Sequence, residues 1–554
     1  MPYLQVEGFS GIMPRLSSTL LPPVAAQIAK DIRLESGEIK PWRGEVFEID
    51  AQQVDPITIY KYQGPAGTQP VWMQWDYDVD AVPGPVADLE EGRLYMTSPN
   101  FPPRKTNWAL ATSQGANVPP FPNAFYEMGT PAPLTAPIAV AAGTGAAPVE
   151  TRAYVYTYVT MFGTVKEESA PSPATIVTAN YSGDAVTVSG FAPPPTGQYN
   201  FQYIRIYRTV TGTSTSNYQL VAEIPYTQAS YVDTVTVQQL GQILPSLNST
   251  PPPEKLQGLI AMPNGILAGF VGNQVWFCEP YMPHAWPVGY MQTTEYPIVG
   301  LGVFGNSLFV ATEKHPYVIS GTTPTGMSSV KLPILQPCAS KRSIVSDHFG
   351  VVYASPSGLV AVSTGRQEIV TSQMFLREQW QELRPETMTS VMYNGMYMGF
   401  YNNAYGRGGI VMHRGDSPAL VSFSYPAQAL FIEQTTGSLF AVHAGTKKTF
   451  KLDANSNALL PYTWRSKEFV LPNPLTFAVV QVLASYQEML TLGRTVTINV
   501  YADGAKVHSF QPESFDPTRM PAGFKAHKWV IEFVGTITVQ KIVMATNALE
   551  LKEV

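Results

Sequence analysis

The sequence predicts a mainly β chain: a β-propeller of about six blades, with one β-sandwich inserted and a second β-sandwich or jelly-roll-like unit after it. Three observations point there. Only 14% of the 554 residues are charged, whereas Gly 43, Pro 49 and Tyr 29 are high, and such a mixture suits pleated strands punctuated by turns. A turn glycine followed by a short apolar strand recurs at a spacing of about 40 residues, as blades do. Proline-rich linkers bracket a stretch of alternating strands.

Residues 1–50 read as an N-terminal arm with a helix. Pro22 and Pro23 offer a start, Ala25, Ile28, Ala29 and Ile32 an apolar stripe, and Gly37 a stop. An arm of this kind is expected to pack on another domain or another subunit. Residues 51–130 contain "ITIYKYQG", "VWMQWDYDVDAV" and "Gly92-RLYMTSPN", read together as the first blade region. Residues 131–255 begin with "TPAPLTAPIAVAAGTGAAP" and end with "LNSTPPPEK"; the short strands between them predict a β-sandwich. The phrases "IRIYRTVTG", "YQLVAEI" and "SYVDT" resemble the last strands of fibronectin type III modules.

Residues 256–460 hold the remaining blades. Gly272, Gly305, Gly350, Gly395 and Gly437 each open a short apolar strand and lie 33, 45, 45 and 42 residues apart. A helix is expected in "TSQMFLREQWQELRPE", capped by Thr371 or Ser372, with Leu376, Trp380 and Leu383 on one face and Pro385 as its stop. Residues 461–554 form the last β unit, in which Asp503-Gly504 marks a hairpin.

Chemistry is sparse. Net charge is −6 and the longest basic pairs are Lys341-Arg342 and Lys447-Lys448, so no patch of clustered cations suits tight DNA binding. Two cysteines, Cys278 and Cys338, make no disulfide framework. The start of the sequence shows no secretory signal and no apolar run is long enough to span a bilayer, so synthesis and folding in a cytoplasm are expected. Cys278, Glu279 and His284 fall within "GNQVWFCEPYMPHAWP", but strand alternation puts Trp276 and Cys278 on one face and Phe277 on the other, as a buried blade strand requires. None of the seven histidines has metal-ligand spacing. Glu279, Glu295, Glu313, Asp347 and Glu368 are the carboxylates in blade regions that would have to converge for glycoside hydrolysis. Without a nucleophile elbow, a phosphate loop or a repeated polar triplet, no catalytic, cofactor or metal residue is assigned. Arg414-Gly415-Asp416 spells an adhesion tripeptide and reads as an ordinary polar turn, while Asn180-Tyr181-Ser182 and Asn248-Ser249-Thr250 fit the glycosylation pattern and, without a secretory signal, read as chance matches.

Four segments, in order, carry a wider resemblance: "AAQIAKDIRLESGEIKPWRG", "GNQVWFCEPYMPHAWP", "FLREQWQELRPE" with "VMYNGMYMGFY", and "WRSKEFVLP" with "VYADG". Together they resemble the tail nozzle proteins of short-tailed bacteriophages, also called tail tubular, hub or packaged-DNA stabilisation proteins. The resemblance implies a structural, non-enzymatic virion protein of the tail, without cofactor, forming a homohexameric ring below portal and adaptor proteins. Its partners would be tail fibres or spikes and, transiently and non-specifically, genomic DNA during ejection. Loops such as "GTTPTGMSSV" and "NNAYGRGG" are candidates for a gate. The alternative is a carbohydrate-binding or glycan-cleaving propeller at a cell surface.

Overall fold

The structure, a computed structural model, describes residues 3–52, 54–86, 91–142, 150–179, 185–209, 217–413 and 419–552. Strands dominate, and among the described residues they form six four-stranded blades and one two-stranded blade. The first blade is the hairpin Thr58–Tyr62 and Val71–Trp75; the second runs from Asp80–Pro83 to Tyr126–Glu127. The third spans residues 257–293, the fourth 298–331, the fifth 345–369 and the sixth 389–423. The seventh joins Ala427–Glu433, Ser438–His443 and Thr449–Leu459 to the early strand Arg43–Ile49.

Side-chain packing closes the circle. Tyr62 and Met73 of the first blade meet Leu94 and Met96 of the second. Tyr95 meets Leu267 and Cys278 of the third, and Phe270 and Phe277 meet Leu301 and Val310 of the fourth. Phe309 then meets Tyr353 of the fifth, Ala354 meets Tyr397 of the sixth, and Met398 meets Leu439 of the seventh. Trp72 of the first blade packs on Phe440 of the seventh, ring centroids 5.0 Å apart. The second strand of each blade therefore buries both faces, which is why these strands read as apolar runs rather than strict alternations. Sequence reading merged the first two blades into one, and so arrived at about six.

The turn glycines have a conformational cause where they open a hairpin: Gly305, Gly395 and Gly437 sit at φ +51, +76 and +65, a region open to glycine at little cost. Gly272 occupies the turn before the third strand of its blade, whereas its four companions precede the second strand. The equivalent turn in the third blade is Pro263–Gly265, 40 residues before Gly305, and the odd spacing of 33 disappears.

The segment expected as an N-terminal helix is extended. Ala26–Lys30 pairs antiparallel with Tyr462–Ser466 and parallel with Leu420–Phe423, so one sheet continues from the sixth blade into the C-terminal unit. A bulge between Ala26 and Ile28 puts Ala26 and Ala29 on the same buried side, a spacing of three that imitates a helical stripe. Tyr3–Glu7 pairs with Val539–Ala545 and buries Leu4 and Val6. The arm thus packs within its own chain, completing a C-terminal sandwich of Tyr3–Glu7, Val539–Ala545, Val479–Ala484 and Thr518–Arg519 against the continued sheet.

The inserted sandwich sets Ile138–Ala141, Val186–Ser189 and Ser230–Asp233 against a sheet centred on Glu150–Phe162 and Phe201–Thr209. Its buried ion pair joins Arg208 to Asp233 at 2.9 Å, and Tyr154 donates to the same carboxylate at 2.7 Å. The propeller helix is shorter than expected, Arg377–Glu382. Gln379 accepts from the Leu376 N–H in place of a Thr371 or Ser372 cap, and Trp380 is fully buried with its indole donating to the Ser355 carbonyl.

Candidate functional site: a charged plug on the propeller axis

In a ring of seven, the fifth blade stands three places from both the first and the second, so direct contact among them crosses the axis. Lys341–Ser343, one turn of 3-10 helix leading into the fifth blade, makes that contact. Lys341 Nζ donates to Asp78 Oδ2 at 2.6 Å and to Asp80 Oδ2 at 2.7 Å. Arg342 donates from Nε to Asp78 Oδ1 at 3.1 Å, from Nη2 to Thr58 Oγ1 at 2.6 Å, and from Nη1 to the Ile57 carbonyl. The third blade adds the Gly258 N–H, 2.8 Å from Asp80 Oδ2. The sixth adds Tyr397, whose hydroxyl donates to the Ser343 carbonyl at 3.2 Å.

The fourth blade contributes space. A Cβ on Gly300 would stand 2.6 Å from Ile344 Cδ1, and one on Gly302 2.9 Å from Ser346 Oγ. The "GLG" of its innermost strand thus lets the plug segment approach.

Two cations face two carboxylates, so the plug is neutral. Burial works against the Asp78 charge, but Lys341 and Arg342 outweigh it and hold that carboxyl below its ordinary range. Burial dominates at Asp80, and with the Asp78 charge it pushes that carboxyl up despite Lys341. Both carboxylates are engaged, which leaves neither poised as a free base. The arrangement locks blades together.

A second buried charge cluster fixes the inserted sandwich to the propeller. Lys105 of the second blade pairs with Glu167 of the sandwich, both 2% exposed. His284 Nδ1 lies 3.9 Å from Glu167 Oε1, and its Nε2 is buried without a hydrogen-bond partner among the described residues. Burial lowers the His284 pKa against the pull of Glu167, so the ring is neutral at pH 7.

The residues singled out in the sequence do not converge. Cys278 is fully buried between the second and third blades and its Sγ accepts from the Leu267 N–H at 3.0 Å; burial pushes the thiol up to about 12. Cys338 is likewise buried and raised to about 12. Glu279 accepts from the Tyr290 hydroxyl at 2.6 Å. Glu295 is exposed beside Lys331, and Glu313 is exposed at a strand end. Asp347 accepts from the N–H groups of Phe349 and Gly350 in a turn, and Glu368 pairs with Arg366 on an outermost strand. No group of three or more histidine, cysteine or carboxylate side chains suitable for a metal occurs among the described residues. Thr250 of the Asn248-Ser249-Thr250 match donates to the Trp286 carbonyl at 2.6 Å and anchors the linker. Arg414-Gly415-Asp416 and Asn180-Tyr181-Ser182 lie outside the described residues.

Sequence reading missed Asp78 and Asp80, and registered Lys341-Arg342 only as a basic pair. The available signal was joint: alternating acids where one blade's inner strand begins, and a basic doublet just before another's.

No known protein family matches the sequence, and no curated protein does. Among solved structures, BBS1N in complex with ARL6DN is 10% identical with a TM-score of 0.27, over 73% of this chain and 95% of that one. Hsv2 of Kluyveromyces marxianus is 9% identical with a TM-score of 0.19, over 54% and 89%. PorZ, a surface component of the type-IX secretion system of Porphyromonas gingivalis, is 10% identical with a TM-score of 0.21, over 57% and 42%. Likenesses this slight say nothing about what the chain does; the propeller is established by its own sheets.

Proposed function

We propose that the chain is a structural virion protein, the tail nozzle of a short-tailed phage, acting without catalysis. One observation carries the reading furthest: the axis of the propeller is filled by the Lys341, Arg342, Asp78 and Asp80 network, so each copy is a closed, rigid block. A DNA conduit would then run between copies in a ring, a homohexamer as the resemblance implies, and not through any one propeller. The mildly acidic balance of −6 suits a wall that does not retain phosphates. The inserted sandwich, attached through Lys105, Glu167 and His284, would face fibres or spikes, and the C-terminal sandwich the adaptor. Of the gate candidates, "NNAYGRGG" forms a hairpin tip with Tyr405 94% exposed, and "GTTPTGMSSV" leads into the outermost strand Ser328–Lys331. Density-gradient fractionation of particles from the source tests the reading. The chain should band with DNA-filled particles, and its confinement to the soluble fraction would sink the proposal.

A further inference from the structure

We propose that the cleft between the first and second blades is a binding site for an apolar chain or ring ending in a carboxylate, read by the guanidinium of Arg104. This site is separate from the axial plug and independent of the nozzle reading. It is a cavity of about 250 Å³ walled by Trp75, Phe101, Phe121 and Phe125, with Arg104 entering from the strand Phe101–Thr106.

Arg104 is held by rings alone. Its guanidinium carbon stands 4.2 Å from the centroid of the Phe101 ring and 3.8 Å from that of Phe125. Both contacts are to the rings' π systems, which take none of the five N–H donors in a hydrogen bond to oxygen. Yet among the described residues Arg104 makes no hydrogen bond and no ion pair, while Arg342, Arg205 and Arg208 each have carboxylate partners. The nearest acid across the strand pair, Glu127, receives the Tyr199 hydroxyl at 2.6 Å instead. Asp76, an acid that lines the cleft, is exposed at its rim, where water screens it. Burial of the guanidinium lowers its pKa from the ordinary arginine value, against the weaker opposing pull of Tyr77 and Glu127, neither of which bonds to it.

The chemistry of the occupant follows. A guanidinium edge matches the two oxygens of a planar carboxylate, and one cation balances a monoanion better than a phosphate dianion. The walls are aromatic, and the neighbouring Gln74 amide is already committed, accepting from Gln52 N–H at 2.7 Å and donating to the Asp50 carbonyl at 3.3 Å. The cleft thus has few spare polar groups for a saccharide and suits an apolar body. Such a ligand could be a free small carboxylate or the last residue of a peptide.

Calorimetric titration of the full chain distinguishes these sources. Phenylacetate represents the first and N-acetyl-phenylalanine the second, each compared with its neutral amide. Saturable binding of at least one acid is expected, with its amide at least tenfold weaker and Arg104→Gln reducing acid binding at least tenfold. Tighter binding of N-acetyl-phenylalanine would assign a peptide end, and tighter binding of phenylacetate a small molecule. Absence of saturable binding by both acids, equal binding of acid and amide, or full retention by a folded Arg104→Gln variant would overturn the proposal. The acid-against-amide comparison on the unaltered chain decides the matter even if the variant fails to fold.

Discussion

Replacing Lys341 with methionine keeps the apolar stem and removes the cation that both axial carboxylates share. Two charge-assisted bonds, 2.6 and 2.7 Å long, are lost. Such bonds contribute about 1.5–3 kcal/mol each. Asp78 keeps Arg342 and Asp80 keeps the Gly258 N–H, and the three side chains are 22%, 29% and 18% exposed, so water offsets part of the loss. The net cost at pH 7 is about 3 kcal/mol, at the low end for a broken buried pair. The pH dependence fixes the cause. In the native chain Asp78 is held low, so its contribution is present above the ordinary carboxylate range and is lost as pH falls through its folded value. In the variant the burial that opposes both charges is less compensated, so folding loses less than the native chain does as pH falls. The difference between the two proteins should narrow as pH falls below the ordinary carboxylate range. Since several units do not unfold in one step, hydrogen exchange under mild urea is the assay, read on peptides covering residues 57–80 and 341–346. A loss below about 0.5 kcal/mol at pH 7, or a gap that ignores pH, would refute the ionic lock.

Four further outcomes are expected. Lys105→Met strands Glu167 in a site 2% exposed and should cost about 3–5 kcal/mol; adding Glu167→Leu should recover at least half, measured by thermal melting and by proteolysis of the linker at residues 131–137. Burial holds the His284 pKa below its ordinary value, so the unfolded chain takes up a proton first, and stability present above about pH 6.5 is lost as pH falls toward the folded value. His284→Phe should flatten the slope of stability between pH 6.5 and 5, leaving the parts due to His413 and His508, which are shifted the same way; unchanged slopes would contradict this. Trp380→Ala empties a fully buried site and should destabilise the propeller by about 3–5 kcal/mol in denaturant melts. Deleting residues 1–10 removes Leu4, Val6 and Phe9 from the core and bares the strand Val539–Ala545, so light scattering should report self-association through the open edge.

Local patterns were legible in the sequence, and contacts across the ring were not. Glycines at φ > 0 followed by apolar strands announced the blades, because hairpin geometry is set within a few residues. Phe277 and Cys278 were legible for the same reason: one strand with two buried faces needs nothing beyond its own alternation. The Ala26–Lys30 strand was misread because its bulge copies a helical spacing, and its partners lie some four hundred residues away. The hairpin at residues 58–75 was merged with its neighbour because it lacks the outer strands that mark a blade. Asp78, Asp80, Lys341 and Arg342 form a site only once seven sheets close, and no local spacing encodes that. Arg104 gave no signal either, since its distinction is the absence of a partner.

Labelling DNA-filled particles with an antibody against the full chain, viewed by electron microscopy, tests the nozzle role most directly. Label at a single vertex of each filled capsid, as a ring of copies, is the expected result. Label found only on free protein or on a cell envelope would contradict it.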